Sequence, residues 1–211
     1  MDQDARREEL LLAMLPDVPF DGWSRGTMEA AAQRLGMDAA EVAALFPGGV
    51  PDVVAAFSRW ADRNTLELLA SVPLATMKVR ERIAAAVRTR LGILEPHREA
   101  VRRSLAVLAL PHNVPLSLKL LYDTVDAIWY AAGDTATDFN FYTKRALLAG
   151  VYASTTLYWL DDRSPGAEET HAFLERRLAN VMAIPKYQAR LRESLEWLPN
   201  PFRLLRGARR R

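Results

Sequence analysis

The run from Ala146 to Leu160, ALLAGVYASTTLYWL, contains no charged side chain. Lys144 and Arg145 precede it, and Asp161 and Asp162 follow it. A helix that is apolar on nearly every side is either buried centrally or faces more than one partner. Crossing a membrane takes roughly 20 apolar residues. This run is shorter and includes Ser154, Thr155 and Thr156. It therefore predicts a central, buried helix around which the rest of the chain is arranged. Immediately upstream, LLYDTVDAIWYAA reads as a second helix, joined to the first by the turn GDTATD. Gly133 suits the end of the upstream helix, because a left-handed residue costs glycine nothing. Thr137 or Asp138 can cap the start of the next.

The same spacing of three and four between apolar residues recurs along the chain, broken by Pro and Gly, and no run alternates as a strand would. The fold class is all-α, with about nine to ten helices. The first covers about Asp4 to Leu15 and stops at Pro16. A loop follows, with Phe20 and Trp23 as its expected core anchors. Two short helices, Thr27–Leu35 and Asp38–Leu45, flank Gly36, with Asp38 as a cap. A longer helix, Val50–Ala70, carries Val50, Val53, Val54, Phe57, Trp60 and Ala61 on one side. Beyond Pro73, a helix at Lys78–Leu94 turns Val79, Ile83, Val87, Leu91 and Leu94 inward, and one at His97–Ala109 turns Val101, Leu105 and Leu108 inward. Arg82, Arg88, Arg90, Arg98, Arg102 and Arg103 take the other faces, as a solvated surface with ion pairs of small value or as holders of phosphate. In Pro115–Ala132 the stripe is Leu118, Leu121, Val125 and Trp129 or Ile128. After the uncharged helix, Ala167–Ile184 turns Leu174, Leu178 and Val181 inward, with acids at its start as the helix dipole favours. The excess of apolar faces on Pro115–Ala132 and on the uncharged helix predicts a dry, elongated apolar cavity enclosed by the helices around Val87, Leu121, Val125, Trp129, Leu148 and Tyr152.

Catalysis is not expected. There is no cysteine, which excludes disulfides, thiolate metal sites and thiol chemistry. His97, His112 and His171 lack metal-ligand spacing; no phosphate loop and no repeated Glu-x-x-His pair is present. No catalytic residue, metal or cofactor is assigned. The formal charge of +2 hides a polarity: residues 186–211 hold eight basic and two acidic side chains, so the rest is net acidic. In that tail Tyr187, Leu191, Leu195 and Leu198 form an apolar stripe with basic flanks, the pattern of a helix lying on an anionic membrane surface. The alternative is a last helix packed on the body. The acidic start of the chain lacks the features of a signal peptide or presequence. The expected location is the bacterial cytoplasm, peripheral on the inner membrane, with a processed organellar form as the alternative.

Helix, short turn, short helix and long helix is the layout of the helix-turn-helix head of regulators of the tetracycline-repressor type, which residues 1–72 resemble in pattern. A recognition helix needs cations for phosphates and donors for bases. The segment DAAEVAALF offers Asp38 and Glu41 and no Lys or Arg. Hence the fold is expected without the DNA function; a regulator with a small-molecule pocket is the alternative. A second resemblance is more specific. The segments HREAVRRSLAVLALPHNVPLSLKLLY, TVDAIWYAAGD and TDFNFYTKRALLAGVYASTTLYWLDD, with PFDGWS, LFPGG, RWADR and KVRERI upstream, resemble the lipid-binding accessory protein family of ubiquinone biosynthesis. The resemblance implies a repressor-like fold, a pocket for an isoprenoid quinone precursor, and a last amphipathic helix at the membrane. It also implies a partner, the di-iron demethoxyubiquinone hydroxylase, bound through Ile128, Asp138, Phe141 and Tyr142. Phe141 stands where animal members often have tryptophan; stacking area survives that change and the indole donor does not. A homodimer is a further expectation. The expected organisation is a head at residues 1–72, a lipid-binding body at 73–184 and a membrane-binding segment at 185–211.

Overall fold

The computed structural model describes residues 3–133 and 139–181, with side chains in the second stretch from Tyr142 onward. Among these residues the chain is helical throughout, without strands. The helices are α1 (Gln3–Met14), α2 (Val18–Asp21), α3 (Arg25–Arg34), α4 (Ala39–Leu45), α5 (Val50–Leu69), α6 (Val79–Leu94), α7 (Arg98–Leu108), α8 (Val114–Ala131) and α9 (Phe139–Asp161). A further helix, α10, occupies residues 168–181.

Local chemistry sets the ends. Ser24 caps α3 by accepting from the Thr27 amide at 3.0 Å, and Asp38 caps α4 by accepting from the Glu41 amide at 2.7 Å. Glu81 reaches back to the Lys78 amide at the start of α6. Gly133 follows the last turn of α8 at φ +81, a conformation open to glycine at no steric cost. The Arg82 guanidinium donates to the Ala132 carbonyl at 3.0 Å, so this helix end is tied to α6. At the start of α10, the buried Asp162 carboxylate accepts from the amide and hydroxyl of both Ser164 and Thr170, at 2.5–2.8 Å.

The long helix α5 is the hub. It packs on α1 towards the head and on α6 and α8 towards the body. Val53, Val54, Phe57 and Ala61 of α5 meet Leu10, Leu11 and Met14 of α1, Ile83, Val87 and Leu91 of α6, and Val125 and Ile128 of α8 in one core. Trp23 anchors the second loop as expected, its indole donating to the Ala100 carbonyl at 3.0 Å. Phe20 does not: it is 81% exposed, and Val18 of the same single turn takes the inward place. Leu118 and Val79 also depart from expectation, at 62% and 47% exposed. On α8 more than one face is apolar. The exposed one carries Val114, Leu118 and Tyr122, while Ser117 and Thr124 accompany Leu120 and Leu121 on the inward one.

Two further expectations need correction. Helix α9 is not surrounded. Leu148, Val151, Tyr152, Thr155 and Trp159 are buried, whereas Ala146, Gly150, Leu157 and Tyr158 face outward. And Arg90 is not on a solvated face: it is 4% exposed. The other arginines join elements. Arg80 and Arg88 share Glu175 of α10 at 2.7 Å each, Arg102 donates to the Leu160 carbonyl, and Arg103 donates to the Pro19 carbonyl. Arg98 donates to the Asp162 carbonyl and lies over the Trp159 ring at 4.7 Å.

Candidate functional site

Between α5, α6, α7, α8 and α9 lies a cavity of about 230 Å³. Its walls are mainly apolar: Val54 and Phe57 of α5, Leu94 of α6, Leu105 and Leu108 of α7, and Leu120 of α8. Leu157 of α9 also lines it while remaining 58% exposed, so the cavity has an apolar rim open to the surface. Because Val54, Phe57 and Ser58 belong to α5, the cavity is not confined to residues 73–184, where the expected body begins.

One end of the cavity is polar. Arg90 donates from Nε to Asp62 at 2.8 Å, from Nη1 to the Tyr152 hydroxyl at 2.5 Å, and from Nη2 to the Ser58 hydroxyl at 3.2 Å and Thr124 at 3.4 Å. Thr124 in turn donates to the second oxygen of Asp62 at 3.1 Å. A buried charge is tolerable only when paired and hydrogen-bonded, and each requirement is met here. Burial pushes the Arg90 guanidinium down, but attraction to Tyr152 and Asp62 outweighs it and holds the group above its ordinary value. Burial, opposed by Arg90, raises the Tyr152 phenol. At neutral pH the guanidinium is charged and the phenol is not. The Thr156 hydroxyl stands near that of Tyr152, close enough to bear on its ionisation. It nevertheless has no hydrogen-bond geometry with any group.

Of the six residues expected to line a lipid cavity, Leu121 and Tyr152 do so. Val87, Val125, Trp129 and Leu148 are buried in the core outside its lining. The expectation of a wholly dry tunnel missed Arg90, Asp62 and Thr124. Their only signal was the charge of Arg90 on the same helix as Leu91 and Leu94. Of the four residues expected to bind a partner, Ile128 is 2% exposed and therefore lies beneath the surface rather than on it. Tyr142 is 71% exposed in the first turns of α9. Asp138 and the Phe141 side chain lie outside the described residues, as do Tyr187, Leu191, Leu195 and Leu198. His97 is half-buried edge-on to Phe57 and Trp60, and burial lowers its pKa. Among the described residues there is no cluster of His, Asp and Glu fit for a metal ion, and no single helix is long and apolar enough to cross a membrane.

The helices that form two of the cavity walls and the α10 segment coincide with the match to a family model: residues 114–185 match COQ9. Curated relatives agree. The chain is 36% identical over 186 residues to "Ubiquinone biosynthesis protein COQ9, mitochondrial" of Homo sapiens, covering 85% of this chain and 58% of that protein. The protein of the same name from Rattus norvegicus is 36% identical over 193 residues (86% and 62%), and that from Drosophila melanogaster 33% over 185 residues (86% and 56%). The chain thus resembles COQ9 proteins over most of its own length. It spans between about half and two thirds of the length of these COQ9 relatives. The chain also matches a solved structure, a TetR transcriptional regulator from Nitrosomonas europaea ATCC 19718. The TM-score is 0.70 at 20% identity, covering 84% of this chain and 98% of that one. At that identity the likeness concerns the fold, which is the repressor-like arrangement expected from the helix pattern. One expectation is overturned. These COQ9 relatives are eukaryotic and are named mitochondrial, which points to mitochondria instead of a bacterial cytoplasm.

Proposed function

We propose that this chain is a non-catalytic accessory protein of ubiquinone biosynthesis that holds an isoprenoid quinone intermediate and presents it to the di-iron demethoxyubiquinone hydroxylase at a membrane surface. The observation that carries the reading is the rimmed apolar cavity between α5 and α9. A polyisoprenoid gains roughly 0.8 kcal/mol per buried methylene, so the apolar walls are themselves a source of affinity. The exposed Tyr142 supports a partner surface at the start of α9, with Asp138 and Phe141 beside it in sequence. Membrane contact is assigned to the stripe Tyr187, Leu191, Leu195 and Leu198, and a homodimer remains part of the proposal. The regulator alternative draws support from the fold. Helix α4, however, brings no Lys or Arg to DNA, and its Glu41 is already paired with Arg6 at 2.8 Å. The proposed organisation is a head, a lipid-holding body that borrows a wall from α5, and a basic tail.

Mass spectrometry of lipids extracted from the purified protein tests the proposal. The expected result is enrichment of prenylated quinone or phenol species over the bulk lipids of the host. A protein that carries no lipid, and takes up none from vesicles doped with an isoprenoid quinone, would exclude it.

A further inference from the structure

We infer that the polar end of the cavity is a head-group site for a neutral, oxygen-bearing ring, in which the hydroxyls of Tyr152 and Thr156 determine specificity. This deepens the lipid-holding reading and rests on it. The two residues lie one turn apart on α9, both line the cavity, and they are 8% and 6% exposed. The Tyr152 oxygen accepts from Arg90 Nη1, which leaves its own proton to donate. The Thr156 hydroxyl is buried without a partner. A buried hydroxyl left unsatisfied is costly, and native proteins rarely leave one so without a reason. A carbonyl or phenolic oxygen entering this end would satisfy both groups.

Charge narrows the class. The positive charge of Arg90 is matched by Asp62 at 2.8 Å, and its N–H groups point at Asp62, Tyr152, Ser58 and Thr124. The cluster is therefore neutral as a whole. A phosphate or carboxylate placed against it would bring an unmatched charge into an apolar cavity, which is unfavourable. A quinone or phenol ring brings none. The volume of about 230 Å³ corresponds to the liquid volume of about eight waters, taking roughly 30 Å³ each. That suits a ring and the beginning of a tail, with the remainder leaving over Leu157.

The test uses the whole protein and three probes with one shared ten-carbon tail: decylubiquinone, decylbenzene and decyl phosphate. Equilibrium dissociation constants are measured for the wild type, Thr156→Val and Tyr152→Phe. The wild type is expected to bind decylubiquinone about tenfold more tightly than either of the others, as two modest hydrogen bonds imply. Thr156→Val should lose severalfold affinity for decylubiquinone and none for decylbenzene, while its ligand-free melting temperature stays level or rises, since no hydrogen bond is broken. Tyr152→Phe also removes an acceptor from Arg90, so Thr156→Val decides the matter if that variant unfolds. Unchanged decylubiquinone affinity in Thr156→Val, or decyl phosphate bound as tightly as the quinone, overturns the head-group site alone. Failure of the wild type to bind any of the three overturns the lipid-holding reading, and the site with it.

Discussion

Arg90 shows how one residue can hold a cavity open. Helices that converge on an apolar space tend to close it by repacking; a charged side chain spanning α5, α6, α8 and α9 prevents that by demanding partners on each. Its side chain is 5% exposed and that of Asp62 14%. Breaking such a pair by removing one member leaves the other buried and uncompensated, a cost of about 3–5 kcal/mol. Arg90→Leu should therefore destabilise the protein by that amount in urea unfolding, and the double variant Arg90→Leu, Asp62→Leu should be less destabilised than Arg90→Leu alone. A loss below about 1 kcal/mol in the single variant would mean that water reaches Asp62 freely and that the cluster has no structural role. The sequence offers no way to tell this arginine from Arg88 two positions earlier. The difference lies in which face of α6 meets α5 and α8.

At the level of a single helix, α10 depends on Asp162. Burial alone would push this carboxyl up, but the hydrogen bonds from Ser164 and Thr170 outweigh it and hold the group well below the usual carboxylate range. A carboxyl depressed in the folded state stabilises fully above its unfolded pKa, about 3.9, and loses that contribution as pH falls through the folded value. The melting temperature of Asp162→Asn should accordingly lie below that of the wild type at pH 7, and the gap should narrow as pH falls below about 4. A gap independent of pH down to 2 would show that the charge of Asp162 does not matter. Asp162→Ala, which removes the acceptor altogether, should cost about 1–2 kcal/mol at neutral pH, the range for a lost helix cap. The acids around the start of α10 were legible in the sequence as a dipole preference. That one of them would be buried and take up four donors was not, because the loop from 162 to 167 had to fold back before those donors converged.

For the whole molecule, presentation of a lipid requires a membrane surface, a mouth and a partner on one protein. Binding to anionic liposomes should fall but not vanish as salt rises. The arginines of the tail contribute about 1 kcal/mol each near such a surface and are screened, whereas the stripe of Tyr187, Leu191, Leu195 and Leu198 is not. A Leu191→Glu, Leu195→Glu double variant should lose cosedimentation with no change in melting temperature. A lowered melting temperature, with wild-type binding abolished by salt alone, would instead mean that the tail packs on the body. At the partner surface, Tyr142→Ala should weaken capture of the hydroxylase by roughly 2 kcal/mol or more if Tyr142 anchors the interface. Its exposure predicts an unaltered fold. Undiminished capture would place the interface elsewhere.

The order of the helices, their ends and the repressor-like layout were determined by local chemistry that reads directly from the chain. Ser24, Asp38, Gly133 and the prolines act within a few residues of themselves, and amphipathic spacing acts within one helix. The resemblance to the ubiquinone-biosynthesis proteins was legible too, in the long segments between His97 and Asp162. What required the tertiary structure was the choice between faces. On α8 both Leu118 and Leu121 satisfy the same periodicity, yet only one lies against α5 and α9. On α6 Arg88 and Arg90 are equal as symbols, yet one reaches Glu175 across the surface and the other is enclosed with Asp62 and Tyr152. Burial is a property of the space between helices rather than of any one of them. The polar end of the cavity exists only where four helices bring together side chains 28 to 62 positions apart from Arg90.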